Sequence, residues 1–206
     1  MTERIALAAA LFGALVAAAS GPAVRMGLAS FTVGILMLPA AGVLGLAAAL
    51  LALLALWRGG AVVRSLTALV VGLAIAAIPA AAYVQARSAP RINDISTDPQ
   101  EQSEESRRAY PDIQPLRLKA APNIAFERAK GAIEESGWQI VREDPSAGRI
   151  EAVATTFWFG FKDDVIVRVA GDDGGSRVDV RSKSRVGKGD LGTNAQRIRT
   201  YLRRRQ

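Results

Sequence analysis

Two segments near the C-terminus alternate valine with charged residues, and this pattern bears most directly on chemistry. The segments are residues 164–170 and 177–183, and the turn-forming residues 171–176 separate them. A period of two predicts a β-hairpin with valines on one face and charges on the other. The charged side chains can pair with one another or bind an anion.

The register of this hairpin decides which charges meet. If the strands pair from either end of the turn, Arg168 lies opposite Asp179, and Asp164 lies opposite Lys183. One interpretation is a solvated face with cross-strand ion pairs, each worth about 0.2–1 kcal/mol. The other is a polar binding surface on which Arg181 takes an anion.

A basic, glycine-rich loop over residues 184–192 follows the second strand and leads to a helix that starts near Thr193. The loop lacks the spacing of a P-loop, but the N–H groups of a helix start attract anions. Alternatively, the loop is an ordinary connection in which Asp190 pairs with Arg185. The candidate ligand-binding residues of the hairpin and this loop are Arg168, Asp179, Arg181, Ser184, Arg185, Lys188 and Asn194. The last five of these, from Arg181 to Asn194, are expected to converge on one concave anion-binding patch.

The chain has no cysteine and no histidine. This excludes a cysteine nucleophile, a histidine acid–base and thiolate metal sites. Asp163 and Asp164 adjoin on a predicted strand, so they point to opposite faces and make a poor carboxylate pair. We therefore predict no catalytic residue, no metal and no cofactor, with a carboxylate-based hydrolase as the alternative.

Three long uncharged stretches dominate the N-terminal part. About 20 apolar residues cross the roughly 30 Å of bilayer hydrocarbon, and we predict spans near residues 5–24, 33–57 and 65–86. Residues 1–86 are thus expected to form a transmembrane anchor, with the lipid bilayer as a partner. A cleaved signal peptide is an alternative for the first span. The two arginines of the loop between the second and third spans favour a cytoplasmic loop and an outer C-terminus.

The remaining residues have the composition of a soluble domain. Four prolines and an acidic run predict an extended linker over 87–118, although residues 92–97 can pack along the domain. Residues 119–206 predict a helix, four strands and a last helix near 193–205, which indicates an α+β fold with an antiparallel β-meander flanked by helices. The aromatic run 157–161 is expected to pack in the core, with ligand or membrane contact as the alternative.

The charge balance argues against nucleic acid as a partner. The net charge is +7 over the chain, but residues 87–206 hold 22 basic and 18 acidic residues. Most of this excess comes from Arg203, Arg204 and Arg205 at the C-terminal end.

Five segments of the C-terminal part resemble domain of unknown function 1499. They are residues 91–98, 109–113, 161–169, 178–187 and 190–198. The resemblance covers roughly residues 90–203 and implies a bacterial envelope or plastid protein without an established activity. We expect a multi-pass protein of the bacterial inner membrane with a periplasmic C-terminal domain. Its expected function is that of a noncatalytic module that binds an anionic small molecule, a lipid headgroup, another amphiphile or an envelope protein. The alternatives to this function are the carboxylate-based hydrolase and a structural subunit of a membrane complex.

Overall fold

The computed structural model describes residues 1–203, so the predictions for Arg204 and Arg205 lie outside the described residues. The chain forms two compact units. The first contains Met1–Ser88 together with Phe157–Gly160, and the second contains Ala89–Thr156 and the residues from Phe161 onward.

The first unit contains three helices rich in alanine and leucine, which are strong helix formers. They are α1 (Thr2–Arg25), α2 (Phe31–Trp57) and α3 (Val62–Ser88). All three are long and apolar enough to cross a membrane, and each predicted span lies within one of them. The helices indicate that the protein is membrane-associated.

Small residues let the three helices pack closely. A Cβ atom added to Gly45 would lie 2.5 Å from the carbonyl oxygen of Gly72, and one added to Gly72 would lie 2.5 Å from that of Gly45. The backbones of α2 and α3 are therefore in near contact, as small residues permit between membrane helices. Large side chains such as Leu46 and Leu50 are exposed instead, where lipid would surround them.

The second unit is built on a six-stranded antiparallel sheet. The strand order is β1-β6-β5-β4-β3, and β2 also pairs with β6. Helices α5 and α6 pack against the face that carries Val165, Val167 and Val180, so the predicted α+β fold is confirmed. The elements are β1 (Asp94–Ser96), α4 (Glu104–Ala109), β2 (Leu116–Leu118), α5 (Pro122–Glu135), β3 (Gln139–Asp144), β4 (Arg149–Thr155), β5 (Lys162–Asp172), β6 (Gly175–Ser184) and α6 (Thr193–Arg203).

The hairpin of β5 and β6 is longer than its valine pattern predicts. Asp172 pairs with Gly175, so only Asp173 and Gly174 form the turn. Both have positive φ angles, 32° and 80°, as a type I′ turn requires, and an Asp-Gly pair favours this turn.

Residues 87–118, which were predicted to form an extended linker, contain regular secondary structure instead. They include β1, α4 and β2. Ile95 and Ile113 are almost completely buried and belong to the core of the sheet-bearing unit. Strand β1 forms because the edge of β6 offers unpaired backbone groups, and such a three-residue strand is too short to show a sequence period.

The expectation that the aromatic run packs in the core is wrong for its first two members. Phe157 is 88% exposed and Trp158 is 43% exposed. The run is not part of the sheet core because Phe157–Gly160 leave the sheet between β4 and β5 and group with the helical unit.

Candidate functional site

The register of β5 and β6 confirms the predicted pairing. Arg168 lies opposite Asp179, and Asp164 lies opposite Lys183. Their side chains share the sheet face opposite Val167, α5 and α6, which we call the charged face. Among the described residues, however, neither predicted cross-strand ion pair forms, because Arg168 and Lys183 contact other carboxylates.

Arg181 is held by a carboxylate from β1. Its Nε atom donates to Asp94 Oδ1 at 2.8 Å, and its Nη2 atom donates to Oδ2 at 2.6 Å. Lys183 Nζ lies 3.3 Å from the same Oδ2 atom. These contacts arise because Asp94 pairs with Lys183, and Ser96 with Arg181, along β6. Arg181 is therefore not the unpaired guanidinium that the hairpin pattern alone suggested.

The other two candidate residues in the middle of the face also have partners outside the predicted pair. Arg168 Nη1 donates to Glu101 Oε1 at 2.5 Å. Asp179 accepts a hydrogen bond from Arg177 at 2.9 Å and another from the Thr97 hydroxyl at 3.2 Å. The segment after β1 thus supplies the acid for Arg168.

This arrangement shifts the pKa of Asp94. Burial by itself would raise the pKa of its carboxyl group, but the hydrogen bonds and charges of Arg181 and Lys183 outweigh burial and lower it. The same hydrogen bond from Arg181 to Asp94 raises the pKa of the guanidinium. Both groups are therefore held in their charged forms.

The charged residues of the basic loop after β6 do not form the ion pair between Arg185 and Asp190 that the sequence suggested as one alternative. Arg185 Nε and Nη2 donate to Asp164 Oδ1 at 3.0 and 2.6 Å, so Arg185 does not pair with Asp190. Asp190 accepts hydrogen bonds from the N–H groups of Gly192 at 2.8 Å and Asn194 at 2.6 Å. It thereby satisfies N–H groups at the start of α6 that an anion would otherwise contact. Lys188 is exposed in this loop.

Ser184 and Asn194 lie on the other side of the sheet. Asn194 is completely buried, and its Nδ2 atom donates to Ser184 Oγ at 3.0 Å and to the Asn93 carbonyl at 3.0 Å. Strand alternation puts Ser182 and Ser184 on the valine face and Arg181 on the charged face. The five residues expected on one concave patch are therefore split between two faces.

A buried ion pair completes this inner cluster. Arg197 Nη2 donates to Asp163 Oδ2 at 2.5 Å, and its Nη1 atom donates to Ser182 Oγ at 2.8 Å and to Asn194 Oδ1. The side chains of Arg197 and Asp163 are only 10% and 4% exposed. Neither residue was a predicted site residue. Asp163 lies two residues before Val165, so strand alternation places it on the same inward face as the valines of β5. No sequence signal identified Arg197 as its partner.

The alternation also confirms that Asp163 and Asp164 point to opposite faces. Asp163 pairs with Arg197 on the helix side, whereas Asp164 pairs with Arg185 on the charged face. The two adjacent carboxylates cannot work on one substrate as an acid and a base.

A groove of about 410 Å³ crosses the charged face. Its apolar lining includes Val141 and Ile166, and Val141 lies at a register shift in the pairing of β3 with β4. Glu151, Asp164, Arg181 and Lys183 are its charged residues. Of the candidate residues, Arg181 lines this groove.

The three apolar helices and the antiparallel sheet with helices on one face define a membrane-associated α+β protein. A family model described as a protein of unknown function (DUF1499) matches residues 91–204. The match covers more than half of the chain, so the chain belongs to this family. No curated protein matches the sequence significantly.

Proposed function

We propose that the protein is a noncatalytic, membrane-anchored envelope module that binds an anionic amphiphile in the groove of its charged face. The observation that carries the proposal is that three basic side chains beside the groove share two carboxylates. In the part of the chain that the structure describes, Arg168, Arg181 and Lys183 form their ion pairs with two acids, Asp94 and Glu101. These five side chains sum to one net positive charge beside the groove, whereas the charged residues that line the groove itself, Glu151, Asp164, Arg181 and Lys183, sum to zero.

Lys183 is the residue best suited to contact the anionic group. Its side chain is 53% exposed and lies 3.3 Å from an Asp94 oxygen that also binds Arg181 at 2.6 Å. Arg181 makes the shorter bidentate contact with Asp94 and thus fixes the carboxylate, whereas the flexible ammonium group of Lys183 can turn toward a ligand. Arg181 then positions the site and adds to its positive potential.

The apolar part of the ligand would lie on Ile166 and Val141. Val141 is 55% exposed, and Ile166 lies on the charged face beside Arg181 in the register. Covering about 100 Å² of apolar surface would contribute roughly 2.5 kcal/mol. A membrane-associated protein has amphiphiles of this kind within reach, which supports a lipid-derived ligand over a free ion.

A titration of the full chain in zwitterionic nanodiscs tests this function. The probe is decyl phosphate, and inorganic phosphate and a zwitterionic amphiphile of equal chain length are the matched ligands. Decyl phosphate should bind most tightly, and at about 100 times its dissociation constant it should stabilise the fold by about 2.7 kcal/mol. Equal binding of inorganic phosphate would contradict the proposal that the ligand is an amphiphile. The absence of stabilisation by all three compounds would favour a protein partner.

Two lysine variants identify the surface. Lys183→Gln should weaken decyl phosphate binding about tenfold, which corresponds to about 1.4 kcal/mol. Lys119→Gln removes an exposed lysine outside the groove and should bind as the unmodified protein does. Equal affinities of the two variants would contradict a site at Lys183.

We also propose that the sheet-bearing unit lies outside the cytoplasm of a bacterial inner membrane. The support is the short connection between α2 and α3, which carries Arg58 and ends near Arg64, because short cytoplasmic loops are rich in basic residues. A C-terminal reporter that functions only in the cytoplasm should remain inactive. An active reporter would reverse the orientation.

A further inference from the structure

We propose that the aromatic segment Phe157–Gly160 contacts the lipid interface and that Phe157 inserts into it. The segment carries two exposed large side chains, Phe157 at 88% and Trp158 at 43% exposure. Isolated exposed apolar residues are common, but adjacent exposed aromatic residues are typical of an interaction surface.

The contacts of the segment within the helical unit indicate the bilayer as its partner. The Nε1 atom of Trp158 donates to Ser20 Oγ at 3.3 Å, and Arg25 Nη1 donates to the carbonyl oxygen of Phe157 at 2.7 Å. A Cβ atom added to Gly21 would lie 2.5 Å from the ring of Trp158, so the indole lies directly against α1.

These contacts place the segment at the end of a membrane-length helix. Ser20, Gly21 and Arg25 belong to the last turns of α1, and Arg25 is the basic residue of its final turn. Arginine at a span end marks the polar boundary of the hydrocarbon. Tryptophan and other aromatic side chains favour this same boundary, because one part of the ring system is apolar and the indole N–H can be hydrogen-bonded.

The chain direction agrees with this placement. Three successive spans alternate in direction, so the end of α1 and the end of α3 at Ser88 lie on the same side of a membrane. The segment Phe157–Gly160 follows Ser88 in the chain, and the connection does not have to cross the bilayer to bring it to the end of α1.

Single-cysteine spin labelling of the full chain in nanodiscs tests the proposal. The natural sequence has no cysteine, so Phe157→Cys gives one labelled site without further changes. Leu46→Cys, on the exposed surface of α2, is the lipid standard, and Lys119→Cys, exposed in the sheet-bearing unit, is the aqueous standard. The measurement compares relaxation by oxygen, which concentrates in lipid, with relaxation by a water-soluble nickel chelate.

The label at position 157 should have an oxygen-to-nickel ratio several times that of position 119 and lower than that of position 46. Interfacial apolar groups typically reach about 5–10 Å into the headgroup and acyl boundary. A ratio equal to that of position 119 would show contact with water, and low access to both reagents would show burial in protein. Either result overturns the proposal.

A second measurement retains Phe157. With Trp57→Phe and Trp138→Phe, the fluorescence of the full chain comes from Trp158 alone among its three tryptophans. Lipids brominated near the headgroup should quench it more strongly than acyl-tail bromines or aqueous acrylamide do. Stronger quenching by acrylamide would contradict an interfacial position.

Discussion

Replacing Arg197 by methionine should destabilise the sheet-bearing unit far more than the same change at Arg199. Both arginines lie on α6, two residues apart, and each pairs with an aspartate. Arg197 and Asp163 are 10% and 4% exposed, whereas Arg199 and Asp112 are 36% and 53% exposed. The two variants therefore compare a buried with a solvated ion pair on one helix.

The expected magnitude follows from what each variant leaves behind. Arg197→Met leaves the buried Asp163 carboxylate without its counter-charge and removes donors from Ser182 and Asn194. Breaking a buried pair in this way costs about 3–5 kcal/mol. Arg199→Met removes a screened pair that contributes about 0–1 kcal/mol.

Pulse proteolysis of the full chain in mild detergent across a urea series measures this difference. With an m-value of about 1–3 kcal/mol per molar urea, Arg197→Met should lower the unfolding midpoint of the sheet-bearing unit by roughly 2 M. Arg199→Met should lower it by less than about 0.5 M. Cleavage within residues 119–203, followed by fragment mass, reports the sheet without interference from the membrane helices.

The double variant Asp163→Asn with Arg197→Met separates the pair from the rest of the cluster. It removes both charges, so the destabilisation should be smaller than the sum of the two single effects by 1 kcal/mol or more. Additive effects, or equal midpoints for Arg197→Met and Arg199→Met, would refute the claim that charge burial makes Arg197 important.

Three further predictions concern other parts of the molecule. Asp94→Asn should destabilise the fold by about 1–2 kcal/mol at pH 7. Because the pKa of Asp94 is lowered in the folded state, its contribution is complete above the ordinary aspartate pKa of about 3.9. It is lost as the pH falls through the lower folded value, so the two proteins should converge in acid unfolding curves. Asp190→Ala should cost about 1 kcal/mol in urea unfolding because α6 loses its capping carboxylate, whereas Asp190→Asn should recover part of it. Gly45→Val should lower the thermal midpoint of the helical unit in detergent by the equivalent of about 1–3 kcal/mol, because its Cβ would lie 2.5 Å from the Gly72 carbonyl.

Each of these predictions has a matched outcome that would contradict it. A stability difference at Asp94 that persists unchanged at pH 3 would rule out the charge as its source. Equal losses for alanine and asparagine at position 190 would rule out capping. Ala77→Val changes an exposed helix position, and an equal loss there would show that close approach at Gly45 is not the cause.

The sequence determined the features that depend on local periods and lengths. Uncharged runs of about 20 residues or more are long enough to cross a bilayer, where a helix satisfies the backbone hydrogen-bonding groups internally. The structure has three helices of this length and composition. The alternation of valine with charge determined both the faces and the register of β5 and β6, since the side-chain period of a strand is two. The sequence also predicted a turn between these strands, but over residues 171–176, whereas the structure reduces it to Asp173 and Gly174.

Tertiary structure decided which charges meet. Arg181 appeared unpaired because β1 consists of only three residues, and its Asp94 lies 87 positions away in the chain. The pairing of Arg168 with Glu101 and of Arg197 with Asp163 likewise joins residues 67 and 34 positions apart. No local period encodes such contacts, because they arise only when the segment after α3 adds to the edge of β6 and α6 packs against the sheet. Strand alternation alone placed Ser184 and Arg181 on opposite faces. Long-range packing then gave Arg181 its partner Asp94 on the charged face and buried Ser184 with Asn194 on the other.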